Sequence, residues 1–268
     1  MLTRNIDFKN FEKKSSSLEK INKKLQTLVK SNNEVISSLS KNYKYSYSKK
    51  IIKRLKSKNN LRILGMGGSI LGTKAIYDFL RHKIKKNVLF IDNLKKNIKN
   101  LKSKNKNINL IISKSGNTLE TISNSNILSS KNDFNIFITE KKISYLRNFA
   151  KKLKAEIVDH NNFIGGRYSV LSEVGMLPAE LMGLEEKKFK QFNNLIKNKS
   201  FLNSLCLNVS STLFFIKKKK FNSVILNYDE NSESLFQWYQ QLIAESLGKK
   251  GIGLFPMIST MPKDNHSL

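Results

Sequence analysis

The chain is poor in the residues that staple, punctuate or bind metal. Its 268 residues include one cysteine, three prolines, three histidines and one tryptophan. The lone Cys206 cannot close a disulfide within the chain, so nothing implies an oxidising compartment. No His, Cys and carboxylate grouping has metal-ligand spacing, so no metal site is expected. No Gly/Ser or Pro linker interrupts the sequence, and no internal repeat is evident. No apolar run approaches the ~18–20 residues of a bilayer span, and the opening MLTRNIDFKNFEKK lacks a signal-peptide core. A cytoplasmic protein without membrane contact is expected. Acidic residues are scarce too, 20 against 49 basic ones, giving a net charge of +29. Such an excess invites a nucleic-acid reading. Yet only Arg4, Arg54, Arg62, Arg81, Arg147 and Arg167 are arginines, and lysines lie along the whole chain beside Asn and Ile. That pattern fits drifted composition on solvated faces better than a recognition surface, so no nucleic-acid partner is expected.

What is present is globular. Hydrophobic residues make up 39% and charged residues 26%, which excludes wholesale disorder, and the length accommodates two domains. Residues 11–32 read as an amphipathic helix on Leu18, Ile21, Leu25, Leu28 and Val29. Short apolar runs then appear at 61–64, 88–91, 108–112, 134–139 and 155–158, separated by helical stretches. Buried strands joined by crossover helices predict an α/β fold with a doubly wound parallel sheet. Mostly helical periodicity follows from Leu171 to about Lys219. A strand-like run at 223–228, a helix from Glu233 to Leu247 and an apolar run at 253–258 then restart the pattern. The expected organisation is an N-terminal helical segment over 1–44, an α/β domain over 45–160, and linker helices leading into an incomplete second α/β domain over 161–268.

Two loops carry chemistry. GMGGSILG at 65–72 joins a strand to a helix, where glycines permit close backbone approach and the helix N-terminus offers free N–H groups. By itself it reads equally as a ligand loop or a tight turn. SKSGNTLET at 113–121 follows the third strand with three hydroxyls, a lysine and a helix start, a set suited to a phosphate monoester. Its bland reading is an N-cap, with Thr118 capping and Glu120 favouring the helix dipole. Open α/β sheets bind ligands at such carboxyl ends of strands.

These two stretches, with GGRYSVLSEVG at 165–175, QQLIAESLGKKGIG at 240–253 and DNHSL at 264–268, resemble the phosphoglucose isomerase family in order and interval over residues 60–268. The resemblance implies an aldose-ketose isomerase that interconverts glucose 6-phosphate and fructose 6-phosphate through a cis-enediol, without metal or organic cofactor. Under it, Ser113, Lys114, Ser115 and Thr118 hold the phosphate, and Gly68 and Ser69 line the sugar site. Arg167 lies near the enediolate oxygens, and Glu245 is the base that moves a proton between C1 and C2. His266 assists ring opening from the neighbouring subunit of a homodimer, and Glu120 has a supporting role. A carboxylate with a nearby cation is what proton transfer beside a carbonyl requires. Family members continue beyond the DNHS motif, so the resemblance implies a chain lacking the C-terminal part, including a later lysine. A non-catalytic phosphosugar-binding protein stays open as the alternative. Glu173 departs from the small or apolar residue usual at its place and needs a partner if buried. His82 and His160 match no catalytic position.

Overall fold

A computed structural model describes residues 18–31, 33–94, 106–249 and 251–267. Residues 11–17 of the expected first helix lie outside the described residues. The helices are α1 (Leu18–Lys30), α2 (Glu34–Ser38), α3 (Lys49–Leu55), α4 (Leu71–Phe79), α5 (Leu119–Leu128), α6 (Tyr145–Lys152), α7 (Glu173–Leu181), α8 (Phe192–Leu195), α9 (Lys199–Lys217) and α10 (Glu233–Leu247). The strands are β1 (Asn60–Leu64), β2 (Asn87–Ile91), β3 (Ile108–Ile112), β4 (Phe134–Thr139), β5 (Glu156–Asp159), β6 (Asn222–Asn227) and β7 (Phe255–Thr260). Among the described residues no helix is long and apolar enough to cross a membrane.

β1 to β5 form one parallel sheet in the order β2-β1-β3-β4-β5. The five apolar runs mark these strands because each is buried from both sides. In β3, Ile108, Leu110 and Ile112 enter a core with Leu61, Ile63, Ile51 and Leu55, to which α7 adds Val174 and Leu177. Ile111 points the other way, towards Phe137, Leu128 of α5, and Leu146 and Ala150 of α6. With helices on both faces, alternation along the strand disappears and the sequence shows a continuous apolar run. β6 and β7 form a separate parallel pair, register Val224 to Met257 and Leu226 to Ser259, bridged by α10.

The strand order decides where a site can lie. From β1 the chain steps outward to β2, then returns across the sheet to β3 on the other side of β1. The carboxyl ends of β1 and β3 therefore diverge, opening a crevice at the reversal of strand order. Gly65 to Ile70 and Ser113 to Thr118 leave the sheet at these two ends. α10 packs along α4, which carries the end of the second unit over the same crevice.

Candidate active site

The 65–70 loop is shaped by contact with a second glycine loop. Gly67–Ser69 forms a single 3-10 turn, and Gly166–Leu171 forms another beside it. A Cβ on Gly68 would fall on the backbone of Gly166 and Arg167, so only glycine lets the two loops meet. That contact brings Ser69 and Arg167 to one wall of a cleft of about 390 Å³.

The anion loop forms the opposite wall. Gly116 turns it with φ +68°, and its N–H donates to Ser113 Oγ at 3.1 Å. The Ser113 hydroxyl is buried and pairs with Thr118 Oγ1 at 2.9 Å. Thr118 is the N-cap of α5, but its side chain makes no cap bond to the helix. The capping role expected of Thr118 is thus not observed, because its hydroxyl is engaged by Ser113. Lys114, Ser115 and Thr118 line the cleft, while Ser113 braces Thr118 from below. Glu120 sits in the first turn of α5 and is absent from the lining.

α10 supplies the third side. Gln241 and Glu245, one helical turn apart, face the cleft. Gln241 Nε2 donates to Glu245 Oε1 at 2.7 Å, and an Arg167 terminal nitrogen donates to Glu245 Oε2 at 3.1 Å. Arg167 is itself fixed: its Nε donates to Ser246 Oγ at 2.9 Å, its carbonyl accepts from Trp238 Nε1 at 2.9 Å, and its guanidinium stacks over Tyr168, 4.6 Å from the ring centroid. Tyr168 shares Ser246 at 2.6 Å. Burial works against ionising that phenol, and the hydrogen bond from Ser246 and the adjacent Arg167 outweigh it, lowering its pKa. The carboxylate at 245 is therefore oriented on both oxygens, with a cation held beside it.

Residues 68, 69, 114, 115, 118, 167 and 245 converge on one cleft. His266 does not join them: it is exposed on a turn (Lys263–His266) after β7, a turn held by Asp264, whose Oδ2 accepts from Thr260 N at 2.7 Å and from Ser259 Oγ at 3.0 Å. Gln241 falls inside the 240–253 stretch with no role assigned to it, and two lining residues, Glu140 and Lys142, lie outside every motif. One more lysine carries no contrast in so basic a chain. Topology offers the signal that composition lacks, since Glu140 follows β4, the neighbour of β3, and so leaves the sheet beside the anion loop.

A model of the phosphoglucose isomerase family matches residues 15–253. The chain belongs to this family. Among its relatives is a glucose-6-phosphate isomerase of Methanocaldococcus jannaschii, 35% identical over 232 residues, covering 81% of this chain and 57% of that protein. Another, from Mycoplasmopsis pulmonis, is 30% identical over 232 residues, covering 78% of this chain and 54% of the relative. The chain thus spans a little over half the length of these phosphoglucose isomerase relatives. The hypothetical protein TT0462 from Thermus thermophilus shares the fold with a TM-score of 0.72 at 22% identity, over 93% of this chain and 66% of its own. Tagatose-6-phosphate ketose/aldose isomerase from Escherichia coli matches with a TM-score of 0.56 at 13% identity, over 93% of this chain and 66% of that one.

Proposed function

We propose that this cleft binds a hexose 6-phosphate and interconverts glucose 6-phosphate and fructose 6-phosphate through a cis-enediol. The supporting observation is the placement of the Glu245–Arg167 pair across one cleft from Lys114, Ser115 and Thr118. The ester phosphate sits against the ammonium, the hydroxyls and the N-terminus of α5, whose N–H groups favour an anion. The sugar chain then extends past Gly68 and Ser69 towards α10.

In the open-chain aldose, the Glu245 carboxylate takes the proton from C2. The electron pair of that C–H bond forms the C1–C2 double bond, and the C1 carbonyl oxygen accepts the displaced pair and a proton. Arg167 stabilises the oxygens as charge develops on them. Loss of the C2 hydroxyl proton regenerates a carbonyl at C2, and Glu245 returns its proton to C1, giving the ketose with no net change in protons. On the same reading His266 assists ring opening in a neighbouring subunit of a homodimer, and its exposed position outside its own cleft supports that service.

The test is a coupled assay of glucose 6-phosphate formation from fructose 6-phosphate. Glu245→Gln is expected to lower kcat by roughly 10²–10⁴-fold with little change in KM. Binding of fructose 6-phosphate without turnover by the unsubstituted chain would instead favour a phosphosugar-binding protein.

A further inference from the structure

Glu140 and Lys142 have no part in the phosphate set implied by the family motifs, yet both line the cleft beside it. Glu140 N–H donates to the Lys114 carbonyl at 3.1 Å, so the loops after β3 and β4 run together. The Glu140 carboxylate divides its oxygens between two cations. Oε1 lies 3.5 Å from Lys114 Nζ, and Oε2 pairs with Lys142 Nζ. The three differ in freedom. Glu140 is buried, its side chain 9% exposed, and its carbonyl is held by Arg147 at 3.1 Å. Lys114 is tethered to the Asn162 carbonyl at 2.8 Å, whereas the Lys142 side chain is 56% exposed at the cleft edge. Burial works against an ionised Glu140, but Lys142 and Lys114 outweigh it and hold the carboxyl below its ordinary range.

A phosphomonoester brings about −1.5 to −2 charges near neutral pH. Lys114, shared with Glu140, cannot balance that alone, and Lys142 is the cation within reach of the same cleft wall. We propose that Lys142 is a second phosphate-binding cation, and that Glu140 is its positioning residue, a resident counter-ion that shares both lysines with the incoming ester. The inference rests on reading the cleft as a hexose 6-phosphate site. Because the phosphate is remote from C1 and C2, this pair acts on binding of ground and transition states alike, so it moves KM and not kcat.

Calorimetric binding of fructose 6-phosphate, with steady-state kinetics, decides it for the unsubstituted chain and for Lys114→Met, Lys142→Met and Glu140→Gln. Lys142→Met is expected to weaken binding about tenfold, with KM raised and kcat unchanged, and the difference is expected to shrink in high salt. Glu140→Gln keeps the shape and removes a fixed negative charge, so it is expected to tighten binding severalfold. A residue that only braced the loop would give weaker binding instead. Unchanged affinity in Lys142→Met, or weaker affinity in Glu140→Gln, overturns the proposal while leaving the wider reading of the cleft intact. Failure of the unsubstituted chain to bind the ester, or binding unaffected by Lys114→Met, would overturn both.

Discussion

The two parallel sheets of this chain are built from similar apolar runs and live in different surroundings. In the first, β1 and β3 are buried along their whole length, with side chains packed on both faces. In the second, Pro256 is buried, but Val224, Leu226 and Phe255 on the opposite face are 52%, 55% and 61% exposed. Parallel strands ordinarily have both faces covered. An apolar residue contributes through the area it removes from water, so the same side chain counts for much in one sheet and little in the other.

The strongest way to sharpen this contrast is truncation on each sheet. Phe137 is fully buried between Leu146, Ala150 and Ile111, and Phe137→Ala is expected to cost about 3–5 kcal/mol in urea unfolding. Val224→Ala on the open face is expected to stay within about 0.5 kcal/mol. A comparable loss at both positions would show that the second sheet is covered in solution.

Buried charge separates the regions as well. Among the described residues, Arg62, Lys86, Glu140, His160, Glu173, Glu186 and Lys190 are buried, and all precede α8; the buried polar groups beyond it are uncharged. Glu173 is 1% exposed and finds the partners that its burial demands: Oε1 accepts from Asn161 N at 2.7 Å and Oε2 from Tyr43 Oη at 3.1 Å. Glu173→Leu removes the charge but leaves a buried N–H and a hydroxyl unpaired. A loss of about 1–3 kcal/mol is expected, measured by the same unfolding. A stabilised variant would show that desolvating the carboxylate costs more than its two bonds return.

What the sequence made legible follows the same division. The strand runs at 61–64, 88–91, 108–112, 134–139 and 155–158 fall within one residue of the observed strands, because double-sided burial writes itself as unbroken apolar sequence. The helix expected over 233–247 is α10, whose Trp238 and Leu242 are apolar at helical spacing. Glu245, Arg167 and Lys114 were found through motifs whose residue types match the chemistry. Side-chain direction was not legible: Ser113 and Thr118 read alike as hydroxyls, yet one is buried beneath the other. Nor were partners distant in sequence, as between Tyr43 and Glu173 or Trp238 and Arg167, since no local pattern records them.

The smallest expected effect concerns pH. Lys190 is buried, donates to the Ser38 and Leu171 carbonyls, and lies 5.0 Å from the ring centroids of Tyr43 and Tyr45. Burial lowers its pKa to about 8, against the opposing pull of Glu186 and Glu173. Below pH 8 both folded and unfolded chains carry the proton, so the cost of burying it is present in full. Between about pH 8 and the ordinary lysine value, the unfolded chain retains a proton that the folded chain has released, and stability must rise with pH. Burial raises the phenols of Tyr43 and Tyr45 above their ordinary value, an effect that reverses the slope only above about pH 10. Unfolding free energy is therefore expected to increase by on the order of 1 kcal/mol from pH 8 to pH 10. Lys190→Met should flatten that rise. Beyond α8 the described residues include one buried ionisable side chain, Cys206, and burial raises its thiol, which makes stability fall and not rise with pH. Hydrogen exchange after correction for its intrinsic pH dependence should therefore place the gain around β1 to β5 and not in β6 and β7. An equal gain in both sheets would mean that they unfold as one cooperative unit despite their unequal cover.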